Sequence, residues 1–285
     1  MGLYDYRAYI ANEEVCRELL RETRWPKGIR CPRCRCKRIW NLGQSSNFKY
    51  KCSGCGYKFT ETSGTIFNKT KMPISKWILA IGLFKVGITA NQLKDEIKVT
   101  YKVAWEMLNR IRKAIKTDHL TSRLSGHIEV DETYYGGRRK GKRGRGAAGK
   151  TPVVGIIQRN GTVRTIIVPD VKCRTLRPLV KQHVEKGSTV YTDNWKGYKG
   201  LKEDGFEHKS VDHNSKFVSN NGSHTNNIEG YWRLSKHKMF ARYHKISKKH
   251  LPDYLAESEF KFNERHHDDF IKLVLAKLLL VPLKG

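Results

Sequence analysis

Two Cys-x-x-Cys pairs, Cys31-Pro-Arg-Cys34 and Cys52-Ser-Gly-Cys55, stand 17 residues apart in a chain of 285. Each such turn places two thiolates on one side of an ion, and a hairpin that brings the second turn back to the first closes a tetrahedral four-sulfur site. The spacer suits this geometry, with two strand-like pieces around a loop of Gly, Ser and Asn. The pattern predicts a zinc ribbon over residues 26–70, with Cys31, Cys34, Cys52 and Cys55 as ligands. Cys36 is a spare thiol whose spacing fits less well. Four thiolates leave zinc no open coordination position, so the ion is assigned to folding rather than to catalysis.

Compartment and charge narrow the partners. The N-terminus, MGLYDYRAYI, has neither the basic region nor the apolar core of a secretory signal, and the longest apolar run is interrupted by Lys277. A soluble, cytoplasmic protein without a membrane partner is expected, and there seven cysteines suit metal better than disulfides. Lys and Arg number 56 against 27 Asp and Glu, a net charge of +29. That excess points to a polyanion, nucleic acid above all.

Residues 1–25 read as an amphipathic helix, with Cys16 as a small apolar residue. Residues 71–120 read as three helices, opened by Pro73, broken at Gly87, and ending in a basic amphipathic segment. Its Ala104, Leu108, Ile111 and Ile115 share one face, and Arg110, Arg112 and Lys113 lie around the rest. This fits a helix-turn-helix-like module whose last helix meets DNA. A second basic segment, residues 138–150, carries Arg138, Arg139, Lys140, Lys142, Arg143 and Arg145 among glycines. It cannot bury a core and is expected to be a loop that neutralises phosphate charge.

Between these lies HIEVDETYYGG, His127 to Gly137. Its apolar-leaning start reads as a strand that delivers Asp131 and Glu132 at its end, where functional side chains in α/β proteins are commonly aimed. Pleat alternation sends Glu132 to the other face if the strand continues. A hairpin then turns at Asn160-Gly161, a helix runs from Cys173, and a strand from Ser188 ends on Asp193. Farther on, Ile228, Tyr231, Trp232 and Ser235 have helical spacing, which puts Glu229 in a first turn and Lys236 two turns later on nearly the same face. The tail, Leu251 to Leu283, has helical periodicity and is expected to pack on the sheet. Asp131, Asp193 and Glu229 would suit two Mg²⁺ ions about 3.5–4 Å apart, which serve both oxygens of an in-line phosphoryl displacement. The Asn226–Glu229 spacing also permits a capping box, in which Glu229 satisfies the helix N-terminus.

The chain resembles the DDE transposases of the zinc-ribbon insertion-sequence group, the prokaryotic relatives of the Merlin transposases. The matching pieces are CPRC and CSGC, then VDETYYGG, YTDNWKGY and HTNNIEGYWRLSK, in the family's order over most of residues 25–265. The resemblance implies an α/β, RNase H-like catalytic domain over residues 121–265, with a C-terminal helix over 266–285. It implies Asp131, Asp193 and Glu229 as ligands of two Mg²⁺ ions, for which Mn²⁺ can substitute, with Asn226 or Asn227 as the alternative third ligand because some relatives carry Asn in place of the third acid, and Lys236 as a contact to DNA near the scissile phosphate. It also implies cleavage at transposon ends, strand transfer into target DNA, and a homodimer or larger assembly on the DNA of the nucleoid. Two other readings stay open on residues alone. One is an RNase H-like nuclease without strand transfer, the other a non-catalytic zinc-ribbon regulator that binds DNA.

Overall fold

The computed structural model of this chain describes residues 10–43, 49–68, 70–116, 122–136, 149–211, 224–244 and 246–281. The chain divides into two compact units, residues 1–115 with 266–285, and residues 116–265. Among the described residues no helix is long and apolar enough to cross a membrane.

The first unit begins with α1 (Glu13–Arg24), capped by Asn12, whose side chain accepts from the Glu14 N–H at 2.9 Å. Glu13 and Glu14 at its start and Arg21 and Arg24 at its end complement the helix dipole. Cys16 is fully buried, an apolar residue in effect. Strands β1 (Ile39–Asn41), β2 (Tyr50–Cys52) and β3 (Lys58–Phe59) form an antiparallel sheet. The spacer thus supplies its hairpin, and a third strand follows the second cysteine pair. Tyr50 and Phe59 are buried, and Trp25 packs edge-on against both at about 6 Å between ring centroids.

Helix α2 (Ile74–Val86) follows Pro73 and has its first N–H groups held from outside, since the Glu13 carboxylate accepts from Ile74 and Ser75. It stops at Gly87, whose φ of 91° is a left-handed backbone that suits glycine. Helix α3 (Ala90–Glu96) opens with a capping box between Thr89 and Gln92, and α4 (Tyr101–Ile115) completes the helix-turn-helix arrangement.

In the second unit β4 (His127–Tyr135), β5 (Thr151–Gln158), β6 (Val163–Ile167), β7 (Thr189–Asp193) and β8 (Glu207–Val211) form one sheet in the order β6-β5-β4-β7-β8. Strands β4, β5 and β6 are antiparallel neighbours, while β4, β7 and β8 run parallel. The parallel return needs a crossover, and α5 (Cys173–His183) provides it. This order and direction make the domain RNase H-like.

One face of the sheet (Ile128, Val130, Val154 and Ile156) packs under Leu176 and Val180 of α5. On the other, Tyr135, Val153 and Val163 meet Ile228, Tyr231 and Trp232 of α6 (Asn226–Tyr243) and Leu251 and Leu255 of α7 (Leu251–Asn263). The last helix, α8 (Phe270–Leu280), belongs to the first unit and packs on α1, α2 and α4. The expectation that the whole tail lies on the sheet therefore holds for α7 alone. A polar turn at His266–Asp269 separates the two helices, and Asp269 caps α8 by accepting from the Lys272 N–H at 3.0 Å.

Candidate active site

Asp131 does not sit at the end of its strand. β4 runs four residues farther, paired with β5 as far as Tyr135↔Thr151. What ends near Asp131 is the other partner, since the ladder to β7 closes at Glu129↔Tyr191. Two more residues along both strands bring Asp131 level with Asp193, on the same face of the sheet. The acid therefore gets its rigid aim from β5 and its accessibility from the end of β7. Asp193 closes β7, and its Oδ1 accepts from the Trp195 N–H at 3.1 Å.

Asp131, Glu132 and Asp193 each offer a carboxylate oxygen within 4.8 Å of the others. Alternation directs Glu132 toward the α5 face, where Tyr198 is buried, yet its carboxylate still joins the group. Position along the strand alone does not exclude it, because a long acidic side chain reaches round where the neighbouring strand has stopped. Glu229 lies in the first turn of α6, exposed, and accepts from the Thr225 hydroxyl at 2.8 Å. It is outside the tight group of three. No capping box forms at Asn226, because Thr225 is the N-cap residue and makes no side-chain cap bond.

The acids press on one another. Burial, then the charges of Glu132, Asp193 and Glu229, push the Asp131 carboxyl up to about 7. Burial lowers the pKa of half-buried Lys236, against the pull of Asp131. Hard carboxylate oxygens crowded together with mutual repulsion are a donor set that suits Mg²⁺.

α6 is seated on the sheet by several devices that the sequence reading left out. Glu129, fully buried on β4, accepts from the backbone N–H of Asn227 at 2.9 Å and of Ile228 at 3.0 Å. Gly155 faces Asp131 across the ladder, and a Cβ there would come within 2.4 Å of Trp232. Tyr135, Ser235, Ser258 and Tyr231 link hydroxyl to hydroxyl from sheet through α6 to α7. The signal available for Glu129 was a charged residue inside an apolar strand run, which demands a buried partner.

The ribbon cysteines meet as expected. The Sγ atoms of Cys31 and Cys55 are 3.7 Å apart and those of Cys34 and Cys52 3.5 Å. A tetrahedron with Zn–S near 2.3 Å has edges of about 3.8 Å, so the group fits zinc. Cys36 stays outside it, pointing toward the Arg38 carbonyl.

The expected DNA contacts divide. Arg110 and Lys113 are exposed on α4, in line with Lys102 and Glu106. Arg112 is 1% exposed and does not belong to that surface. It shares a helix face with Leu108 and Ile115, and the buried part of α4 is wider than a four-residue stripe. Arg138, Arg139, Lys140, Lys142, Arg143 and Arg145 lie outside the described residues.

Comparison with known proteins agrees with this architecture. Residues 123–263 match the ISXO2-like transposase domain, and residues 11–58 match the transposase zinc-ribbon domain. A protein in transposable element ISH50 of Halobacterium salinarum is 30% identical over 265 residues, covering 86% of this chain and 88% of its own. A transposase-like protein of Haemophilus influenzae is 34% identical over 101 residues, covering 35% of this chain and 80% of its own. With both domains in this order and a relative matched along most of its length, the chain belongs to the ISXO2-like, zinc-ribbon group of insertion-sequence transposases, enzymes of DNA transposition.

Proposed function

We propose that this transposase is of the DDE type, with Asp131, Asp193 and Glu229 holding two Mg²⁺ ions at the ends of its element. The observation that carries the reading is the pairing of Asp131 with Asp193 on adjacent parallel strands, their carboxylates within 4.8 Å, with Glu229 brought over the same face by α6. When bound, the ions would supply Lewis-acid activation of the attacking oxygen and stabilisation of the leaving one. The residues do the positioning. β4 and β7 fix two carboxylates rigidly, α6 presents the third, and Lys236, seven residues beyond Glu229, is placed to meet a DNA phosphate.

Two phosphoryl transfers would follow at this one site. Water cleaves a phosphodiester at the transposon end, and the freed 3′-hydroxyl then attacks target DNA. Both rest on alignment and charge neutralisation more than on covalent help from the protein. Zinc would hold the ribbon, while the ribbon, Arg110 and Lys113 contact duplex DNA in the bacterial or archaeal cytoplasm. Joining two ends calls for at least a dimer on DNA.

The test uses DNA carrying the element's own ends and a target duplex, with Mg²⁺. Asp131→Ala, Asp193→Ala and Glu229→Ala should each lose cleavage and strand transfer by about a thousandfold or more while still binding the ends. Hydrolysis without joined products in the wild type would leave a nuclease, and binding without any cutting would leave a regulator. A second assignment has its own support, because Glu132 lies inside the tight carboxylate group and Glu229 does not. Activity kept by Glu229→Ala and lost by Glu132→Gln would make Glu132 the third ligand.

A further inference from the structure

A fully buried carboxylate with four hydrogen-bond donors in the catalytic domain is not one of the proposed ligands. Glu129 precedes Asp131 by two residues on β4, faces the same side of the sheet, and is fully buried. Its Oε2 accepts from the backbone N–H groups of Asn227 and Ile228 at 2.9 and 3.0 Å. Its Oε1 accepts from Asn227 Nδ2 at 2.7 Å and from Arg159 Nε at 2.8 Å. Arg159, in the turn after β5, also donates to the His224 carbonyl at 2.9 Å, just ahead of α6, and its guanidinium lies 3.9 Å from the Tyr191 ring centroid.

A helix starts with N–H groups that have no partner inside it, and a carboxylate placed there satisfies them and complements the dipole. α6 makes no side-chain cap bond of its own at Thr225. Its cap comes from the central strand instead. Glu229 is one residue past the second bonded N–H, so the lateral and axial position of the first turn sets where that carboxylate stands relative to Asp131. We infer that Glu129, locked by Arg159, is a positioning residue that sets the distance between Glu229 and the acids of the sheet. This rests on the assignment of Glu229 as third ligand.

Substitution by glutamine is a sharp probe. Four of the groups that face Glu129 are donors, the fifth being the His224 Nδ1 at 3.3 Å from Oε1, and a carboxylate can accept from all of them. An amide keeps one acceptor oxygen and turns an NH₂ group toward donors, so half of the seat is lost with almost no change in volume.

The experiment measures Mn²⁺ binding by the full-length protein, by calorimetry and by the electron-spin signal of free Mn²⁺, beside thermal unfolding. The variants are Glu129→Gln, Glu229→Gln, the double variant, and Asn263→Ala. Asn263 ties α7 to β6 through Val163 and serves as a control for lost stability. Glu129→Gln should weaken Mn²⁺ about tenfold, the scale at which groups orienting a ligand act. Asn263→Ala should lower the melting temperature and leave Mn²⁺ affinity alone. The double variant should bind no more weakly than Glu229→Gln, because the seat acts only through that residue.

Additive losses in the double variant, or wild-type affinity in Glu129→Gln, would overturn the positioning role while Glu229→Gln still weakens binding. Unchanged affinity in Glu229→Gln would instead remove the ligand assignment, and the positioning role with it. If Glu129→Gln does not fold, Arg159→Lys tests the same seat. It keeps the charge and loses the Nε bond and the bond to His224, and the same pattern of coupling is expected.

Discussion

At the scale of single residues the site depends on side chains that are absent as much as on those present. Gly155 lies opposite Asp131, and an added Cβ would stand 2.4 Å from Trp232 Cζ2 and 2.7 Å from Ile228 Cδ1. Both contacts belong to α6, so glycine here lets the helix that carries Glu229 settle onto the sheet. Gly155→Ala should cost about 1–3 kcal/mol through overpacking and reduce cleavage more than end binding. Trp232→Phe in the same chain should recover part of the stability, because it removes the atom in closest conflict. Equal melting temperatures for wild type and Gly155→Ala would mean that α6 has room the packing does not show. Nothing in the run from Pro152 to Ile157 marks this glycine as special, since a strand glycine has several uses.

Among elements, the zinc ribbon is expected to draw its stability from a ligand. Three strands of two or three residues bury little, and four sulfurs at tetrahedral separations replace the missing core. The residue after each Cys-x-x-Cys is left-handed, Arg35 at φ 59° and Gly56 at φ 70°. Their N–H groups bond back to the Cys31 and Cys52 carbonyls. Zinc analysis should find one ion per chain, and Cys52→Ser should lose it. Hydrogen exchange should then rise across residues 31–59 while the five-stranded sheet stays protected. Slow exchange in the zinc-free ribbon would show that its aromatic cluster suffices alone. α4 teaches the opposite lesson about elements. Its sequence period placed a basic face correctly at Arg110 and Lys113, but Arg112 is buried, because three helices and not one cover the other side.

For the whole molecule, buried acids tie stability to pH. Glu259 of α7 accepts from the Thr165 N–H and hydroxyl at 2.9 and 2.8 Å, joining the helix to the edge strand β6. Burial outweighs these bonds and the Arg164 charge, and pushes its carboxyl up to about 7. A raised carboxyl is protonated longer in the folded chain than in the unfolded one. Its contribution is therefore fully present below the ordinary carboxylate range and is lost as pH rises toward 7. The loss is at most about 3 kcal/mol. Asp131 acts in the same direction, and added Mg²⁺ should cancel its part alone. Melting temperatures from pH 5 to 8 should fall less steeply for Glu259→Gln than for wild type. Parallel curves would place the pH dependence elsewhere.

What the sequence determined by itself is whatever depends on neighbours along the chain. The ribbon was legible because ligand spacing is local, and the order of strands and helices because periodicity and the Asn160-Gly161 turn are local too. The acids were legible as residue types at element boundaries, though Asp131 proved to be mid-strand, partly buried and reached past the end of β7 and not of its own strand. Tertiary structure alone decided the rest. Glu129 meets Asn227 across 98 positions, Glu132 joins the carboxylates from the other face, and Gly155 answers to Trp232. α8 left the sheet for the first unit. Each of these is a contact between segments far apart in sequence, and only the three-dimensional packing chooses which buried charge meets which helix end.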